Sequence, residues 1–176
     1  AAAINSAMSV ISNEGGGTVV IPKGIWITGP IRLQSNVCLY LERGAVVKFS
    51  KNIEEYPLIL TNSEGQECIR TVSPVTADHA ENIAICGDGV IDGSGDLWRP
   101  VKQFKMTGRQ WAELMKKNSN VLDTKEGGIW FQTESAFLGN EKNIQKDEKD
   151  ALKKAEQHYD FYRPVMVSLE YCDRVL

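Results

Sequence analysis

Asn82-Ile83-Ala84-Ile85-Cys86-Gly87-Asp88-Gly89-Val90-Ile91-Asp92-Gly93 is a polar turn, a short β-branched strand, a Gly-Asp-Gly turn and a second short strand. Strands this short, joined by turns too tight to hold a crossover helix, cannot bury both faces alone; they must stack on copies of themselves, as the coils of a β-solenoid do. Upstream the same grammar repeats. Strand-like runs Thr18 to Ile21, Ile25 to Thr28, Ile31 to Leu33, Val37 to Leu41 and Ala45 to Phe49 are punctuated by Pro22-Lys23-Gly24, Gly29-Pro30, Ser35-Asn36 and Arg43-Gly44. The opening phrase also recurs, as Ser35-Asn36-Val37-Cys38-Leu39, Glu81-Asn82-Ile83-Ala84-Ile85 and, faintly, Asp173-Arg174-Val175. Aligning Asn36, Asn82 and Arg174 gives one interval twice the other, yet no such phrase stands near Gly128 between them, so the doubling reads as accidental.

Two stretches break the strand pattern. Ile4, Ala7, Met8 and Ile11 share one helical face over residues 1–13 before Gly15-Gly16-Gly17, which predicts an amphipathic helix capping the open end of the stack. Residues 95–162 read as a loop and helix insertion. In it Thr107 and Gln110 form a capping-box pair ahead of an apolar face of Trp111, Leu114 and Met115. Asp147 to His158 reads as a charged helical stretch lined by Leu152, Ala155 and Tyr159, with Asp150 and Lys154 as an i, i+4 pair. Strand pattern resumes at Arg163-Pro164-Val165-Met166.

Composition narrows the function classes. With 176 residues, 42% hydrophobic and 24% charged, the chain is long enough for a core and unlike disordered or collagenous sequences. A net charge of −3, with no dense Lys/Arg cluster, argues against nucleic acid as a partner. No apolar run approaches the roughly 20 residues of a membrane span. The sequence begins at Ala1, so a leader, and with it the compartment, cannot be read. Cys38, Cys68, Cys86 and Cys172 lack metal-ligand spacing and read as buried, unpaired thiols.

Each candidate site has a plainer competitor. Asp88, Asp92 and Asp96 fail the calcium-loop spacing because Leu97 stands where its glycine belongs, and read as turn formers. Gly15 to Gly17 leads into a strand and lacks the Gly-Lys-Ser/Thr of a phosphate loop. His79 and His158 are isolated, so no metal or other cofactor is expected. More telling are the aromatics Trp98, Trp111, Trp130 and Phe131, which can stack on sugar faces, and the cations Arg99, Lys102, Lys105 and Arg109, which can pair with a sugar carboxylate. Trp98, Arg99, Lys102, Trp111 and Trp130 are the candidate substrate-binding residues.

The runs Gly15-Gly16-Gly17-Thr18-Val19-Val20-Ile21-Pro22-Lys23-Gly24, Thr28-Gly29-Pro30-Ile31-Arg32-Leu33-Gln34-Ser35-Asn36-Val37 and Glu81 to Gly93 resemble the N-terminal part of polygalacturonases, glycoside hydrolase family 28. Trp98-Arg99-Pro100-Val101-Lys102 and Arg163-Pro164-Val165-Met166 resemble its bacterial members. The resemblance implies a right-handed parallel β-helix of the pectin-lyase-like kind, all-β with helical insertions, of which residues 1–176 would be an incomplete, N-terminal part. It also implies metal-free, inverting hydrolysis of α-1,4-galacturonan or a related pectic polysaccharide, in a secreted or periplasmic setting. Inversion needs an acid and a base about 6.5–9.5 Å apart across the sugar. The family's Asn-x-Asp, Asp-Asp, Gly-His-Gly and Arg-x-Lys motifs do not occur here, so no catalytic residue is assigned, and Asp88 and Asp92 are not stand-ins. Two other readings compete. One is a non-catalytic β-solenoid that binds polysaccharide or is structural; the other, a β-helical pectate lyase, would need an acidic calcium cluster.

Overall fold

Alternation of buried and outward residues runs through the short strands, and in the computed structural model it resolves into stacked parallel coils. The structure describes residues 1–63, 65–142, 144 and 149–176. In chain order the elements are α1 (Ala2–Asn13), β1 (Gly17–Ile21), β2 (Gly24–Thr28), β3 (Ile31–Arg32), β4 (Val37–Leu41), β5 (Ala45–Phe49), β6 (Leu58–Ser63), β7 (Gln66–Thr71), β8 (Val75–Asp78), β9 (Glu81–Gly87) and β10 (Val90–Asp92). Then come β11 (Val101–Lys102), α2 (Gly108–Met115), β12 (Val121–Thr124), β13 (Gly127–Trp130), α3 (Glu134–Lys142), α4 (Ala151–Ala155), β14 (Val167–Glu170) and β15 (Asp173–Val175).

The described chain divides into two compact units: unit 1 holds Ala1–Tyr56, Val72–Ser94 and Pro164–Leu176, and unit 2 holds Pro57–Thr71 and Gly95–Arg163.

Unit 1 is the solenoid. Its three parallel sheets run β1-β4-β9-β15, β2-β5-β10 and β3-β8-β14, so each coil places one strand in each sheet. Because strand side chains alternate between faces, Val37, Leu39 and Leu41 of β4 and Ala45, Val47 and Phe49 of β5 fall inward and are buried. Their register partners continue the column: Val19, Leu39 and Ile85 stack in the first sheet, and Trp26, Val47 and Ile91 in the second. The α1 face read from the sequence packs on this core, with Met8 fully buried and Ile4, Ala7 and Ile11 against it.

The recurring phrase is a structural ladder. Asn36, Asn82 and Arg174 all take left-handed backbone angles, with φ of 64°, 52° and 52°. Asn82 Nδ2 donates to Asn36 Oδ1 at 2.8 Å, and the Arg174 guanidinium donates to Asn82 Oδ1 and pairs with Glu81. Asparagine tolerates this conformation and its side chain bonds to the next coil, which is why it recurs at the corner. Segments of unit 2 of different length, 57–71 and 95–163, interrupt the two intervals, so the doubling is accidental while the match of phrases is real. Asn82→Ala is expected to cost about 1–2 kcal/mol through backbone strain and the lost ladder bonds, and Asn82→Gly about half of that. Urea titration of the two variants separates the contributions.

Unit 2 has its own elements and core. β6 and β7 form an antiparallel hairpin, and β11-β13-β12 a small antiparallel sheet. The small sheet differs from the reading of 95–162 as loop and helix, and the hairpin lies at 58–71, where the sequence carried no reading. Ile69, Ala151, Ala155 and Tyr162 form a second buried cluster. The capping box at Thr107 and Gln110 is present at the start of α2. The charged helical stretch is shorter than expected: α4 ends at Ala155 and the chain tightens into a 3₁₀ turn, Glu156–Phe161, broken at His158. Asp147, its expected start, lies outside the described residues.

The four cysteines are free, and each is half-buried rather than buried. Cys38 and Cys86 sit diagonally on the outward face of β4 and β9, with their sulfurs 3.3 Å apart. Burial, and then the Cys86 thiol beside it, pushes the Cys38 thiol from 9.0 up to about 11. The neutral thiol is the favoured form, so its contribution to stability is complete below the ordinary value and lost as pH rises through the folded one. At pH 8.5, alkylation of Cys38 in the folded chain is expected to run roughly 100-fold slower than in urea, as followed by peptide mass spectrometry.

Candidate functional site

Described residues of unit 2 line an open cavity of about 370 Å³. Trp98, Arg99 and Lys102, named from the sequence, all line it, together with Arg70, Phe131, Asp160, Tyr162 and Arg163. Trp98, Phe131 and Tyr162 are themselves buried, so their rings form its floor and walls rather than a free platform.

Local structure explains how these side chains converge. Lys102 lies in β11, paired with Ile129 of β13, while Val101 pairs with Trp130. Thr133 begins α3 by accepting from the Ala136 amide at 3.0 Å, and its hydroxyl donates to Asp160 Oδ2. That bond ties the start of α3 to the 3₁₀ turn, and Gly139 permits the approach, since a Cβ there would meet Phe161 Cβ at 2.5 Å. On the other side Thr71, at the end of β7, donates from its amide and its hydroxyl to the Tyr162 carbonyl at 2.7 and 2.9 Å. Arg70 donates to the Arg163 carbonyl at 3.3 Å. The hairpin thus brings a guanidinium to a site otherwise built from 97–163.

Four cations, Arg70, Arg99, Lys102 and Arg163, line the cavity against one carboxylate, Asp160, on a chain whose net charge is −3. Arg99, Lys102 and Arg163 form no salt bridge with any described residue. Asp160 Oδ1 is enclosed without a hydrogen-bond partner. Chemically the cavity combines positive charge, aromatic surface, one carboxylate and the polar side chains of Gln132, Thr133 and Asn140.

Trp111 and Trp130 are not among its lining residues. Trp111 packs over Gly128, where a Cβ would come within 2.9 Å of its ring, and the buried Trp130 donates to the Asn118 carbonyl at 3.4 Å. Both rings are engaged in the packing of unit 2. Lys105 lies over the exposed Phe104 ring, 5.9 Å from its centre, as does Lys102 at 5.7 Å. Sequence reasoning missed Arg70, Asp160 and Arg163, for which no local spacing gives a signal. Among the described residues no cluster of three or more His, Cys, Asp or Glu could hold a metal ion.

No protein-family model matches the chain. A Vitis vinifera protein described as a probable polygalacturonase is 34% identical over 99 residues, covering 53% of this chain and 20% of the relative. A hyperthermoactive exopolygalacturonase from Thermotoga maritima superposes with a TM-score of 0.59 at 25% identity, over 99% of this chain and 36% of that one. The chain is polygalacturonase-like. A family 28 exopolygalacturonase from Yersinia enterocolitica shares the fold with a TM-score of 0.57 at 21% identity, over 99% of this chain and 30% of that one. This polygalacturonase-like chain therefore spans about a fifth of the length of the curated relative it matches. No helix among its described residues is long and apolar enough to cross a membrane.

Proposed function

We propose that the chain supplies the first coils of a glycoside hydrolase acting on α-1,4-galacturonan or a related pectic polysaccharide, with inversion, in a secreted or periplasmic setting. The observation that carries this is the solenoid's coil-by-coil register on the very phrases that resemble polygalacturonases, supported by the similarity at 34% and 25% identity. In this reading α1 caps one end of the stack, and further coils bearing the acid and base would cover the other.

An exposed apolar column supports that arrangement. Val167, Leu169 and Val175 continue the inward positions of Val75, Ala77 and Ile83, yet are 43%, 37% and 48% exposed where their partners are 0%, 2% and 1%. Lacking the aspartate motifs, the 176 residues would not catalyse by themselves. Unit 2 would contribute contacts to the sugar through Trp98, Arg99 and Lys102.

The test is reducing-end release from polygalacturonate, by the purified chain and by the protein encoded by the whole reading frame. Silence from the first and activity from the second is the expected pair; release by the 176 residues alone would refute the assignment of catalysis to other coils. The missing motifs favour a second reading, a non-catalytic solenoid that binds polysaccharide, which predicts binding but no hydrolysis from both.

A further inference from the structure

We infer that the cavity of unit 2 is a pocket for a single uronic-acid ring, with Arg99 and Arg163 taking the carboxylate and Trp98 forming the floor under the ring's apolar face. This rests on the reading of unit 2 as sugar-facing, and deepens it from a general lining to a one-residue site.

Size is the first argument. At about 370 Å³ the cavity falls at the small end of the roughly 300–1,000 Å³ typical of ligand pockets, which suits one saccharide ring better than a polymer segment. Charge is the second. Arg99, Lys102 and Arg163 have no carboxylate partner among the described residues, and guanidinium pairs match a planar carboxylate by two parallel hydrogen bonds. A pocket built only for a compact dianion would not carry Asp160 in its lining. A ring bearing both a carboxylate and several hydroxyls uses that residue as an acceptor. Aromatic surface is the third: Trp98, Phe131 and Tyr162 give the lining apolar ring surface against which the C–H groups of a pyranose can pack. Gln132 and Asn140, also in the lining, add amide donors and acceptors for the remaining hydroxyls. The hairpin contributes in a specific way. Thr71 fixes the Tyr162 carbonyl and Arg70 the Arg163 carbonyl, so the segment carrying Arg163 is held in place before any ligand arrives.

The test is titration of the intact chain with D-galacturonate, its C6 methyl ester and inorganic phosphate, followed by calorimetry and by the indole N–H signals of the tryptophans. Galacturonate is expected to bind with a Kd of about 1 mM, near the efficiency of ordinary small ligands. The Trp98 signal should shift and that of Trp26, in the solenoid, should not. The methyl ester, which removes the charge and keeps the ring, should bind at least 10-fold more weakly, and so should galacturonate to Arg99→Ala or Arg163→Ala. Unchanged far-ultraviolet circular dichroism will show that those variants fold. Phosphate binding as well as galacturonate, equal affinity for the ester, or no galacturonate binding would each overturn the pocket. These outcomes are separate from the hydrolysis test: binding without hydrolysis by the whole protein sinks the hydrolase reading alone, and hydrolysis without binding here sinks the pocket alone.

Discussion

Leu39→Ala is expected to lower the stability of the solenoid by about 3–5 kcal/mol. Leu39 is fully buried at the middle of the first sheet, with Val19 before it and Ile85 after it in register. Truncation opens a cavity between three coils that are joined rigidly by backbone hydrogen bonds, so the column cannot close over it, and the cost falls toward the upper end for a leucine. In a chain of this size that corresponds to a fall of roughly 6–20 °C in Tm, measurable by thermal denaturation. The control is Leu60→Ala in the hairpin, a leucine 57% exposed, which is expected to change Tm by less than about 2 °C.

Gly87→Ala should be comparably severe for an unrelated reason. Gly87 closes the turn after β9 with φ of +101°, a region that side-chain-bearing residues rarely adopt, and it lies in register with Leu41. A Cβ there would stand 2.0 Å from the Leu41 carbonyl oxygen and 2.8 Å from its carbon, and that oxygen already accepts from the Asp88 amide at 3.0 Å. Backbone on both sides cannot yield as a flexible side chain would. Left-handed strain and the clash together are expected to cost about 3 kcal/mol or more. The contrast is Gly65→Ala, also at positive φ but with open space around it, where only the strain of about 1–2 kcal/mol should appear. Equal losses in the two variants would mean that the contact with Leu41 contributes nothing.

The strands of the solenoid could be read because each obeys a purely local rule, apolar residues at every second position of a short run closed by glycine, proline or asparagine. Val37–Leu41 and Ala45–Phe49 are found at the residues the pattern marks. The hairpin at 58–71 escaped because Leu58-Ile59-Leu60 is a continuous apolar run with no alternation to orient it, and Leu60 is exposed. In β13, Gly127-Gly128 looks like a turn, although Gly128 is there to admit the Trp111 ring.

The candidate site was legible only where its residues are neighbours in sequence. Trp98, Arg99 and Lys102 come from one segment, and an aromatic-basic cluster advertises itself. Arg70 and Arg163 are 93 positions apart and meet only because Thr71 and Tyr162 join the hairpin to the end of unit 2. Conversely, Trp111 and Trp130 share the residue type that binds sugars, but large aromatics are equally suited to filling a small unit's interior, and composition cannot separate the uses. The Asn36, Asn82 and Arg174 correspondence sat between these cases: visible as a phrase, but disguised by the unequal lengths inserted between its members.

At Gly93 a Cβ would lie only 2.5 Å from the sulfur of Met166, so the two strands of chain bounding the 95–163 segment touch within the solenoid itself. A coil whose exit and re-entry points already meet is a natural splice site. Segments can be lengthened, exchanged or trimmed there through the gene while the parallel ladder on either side keeps its register, which makes this corner a place where a protein engineer can graft new ones.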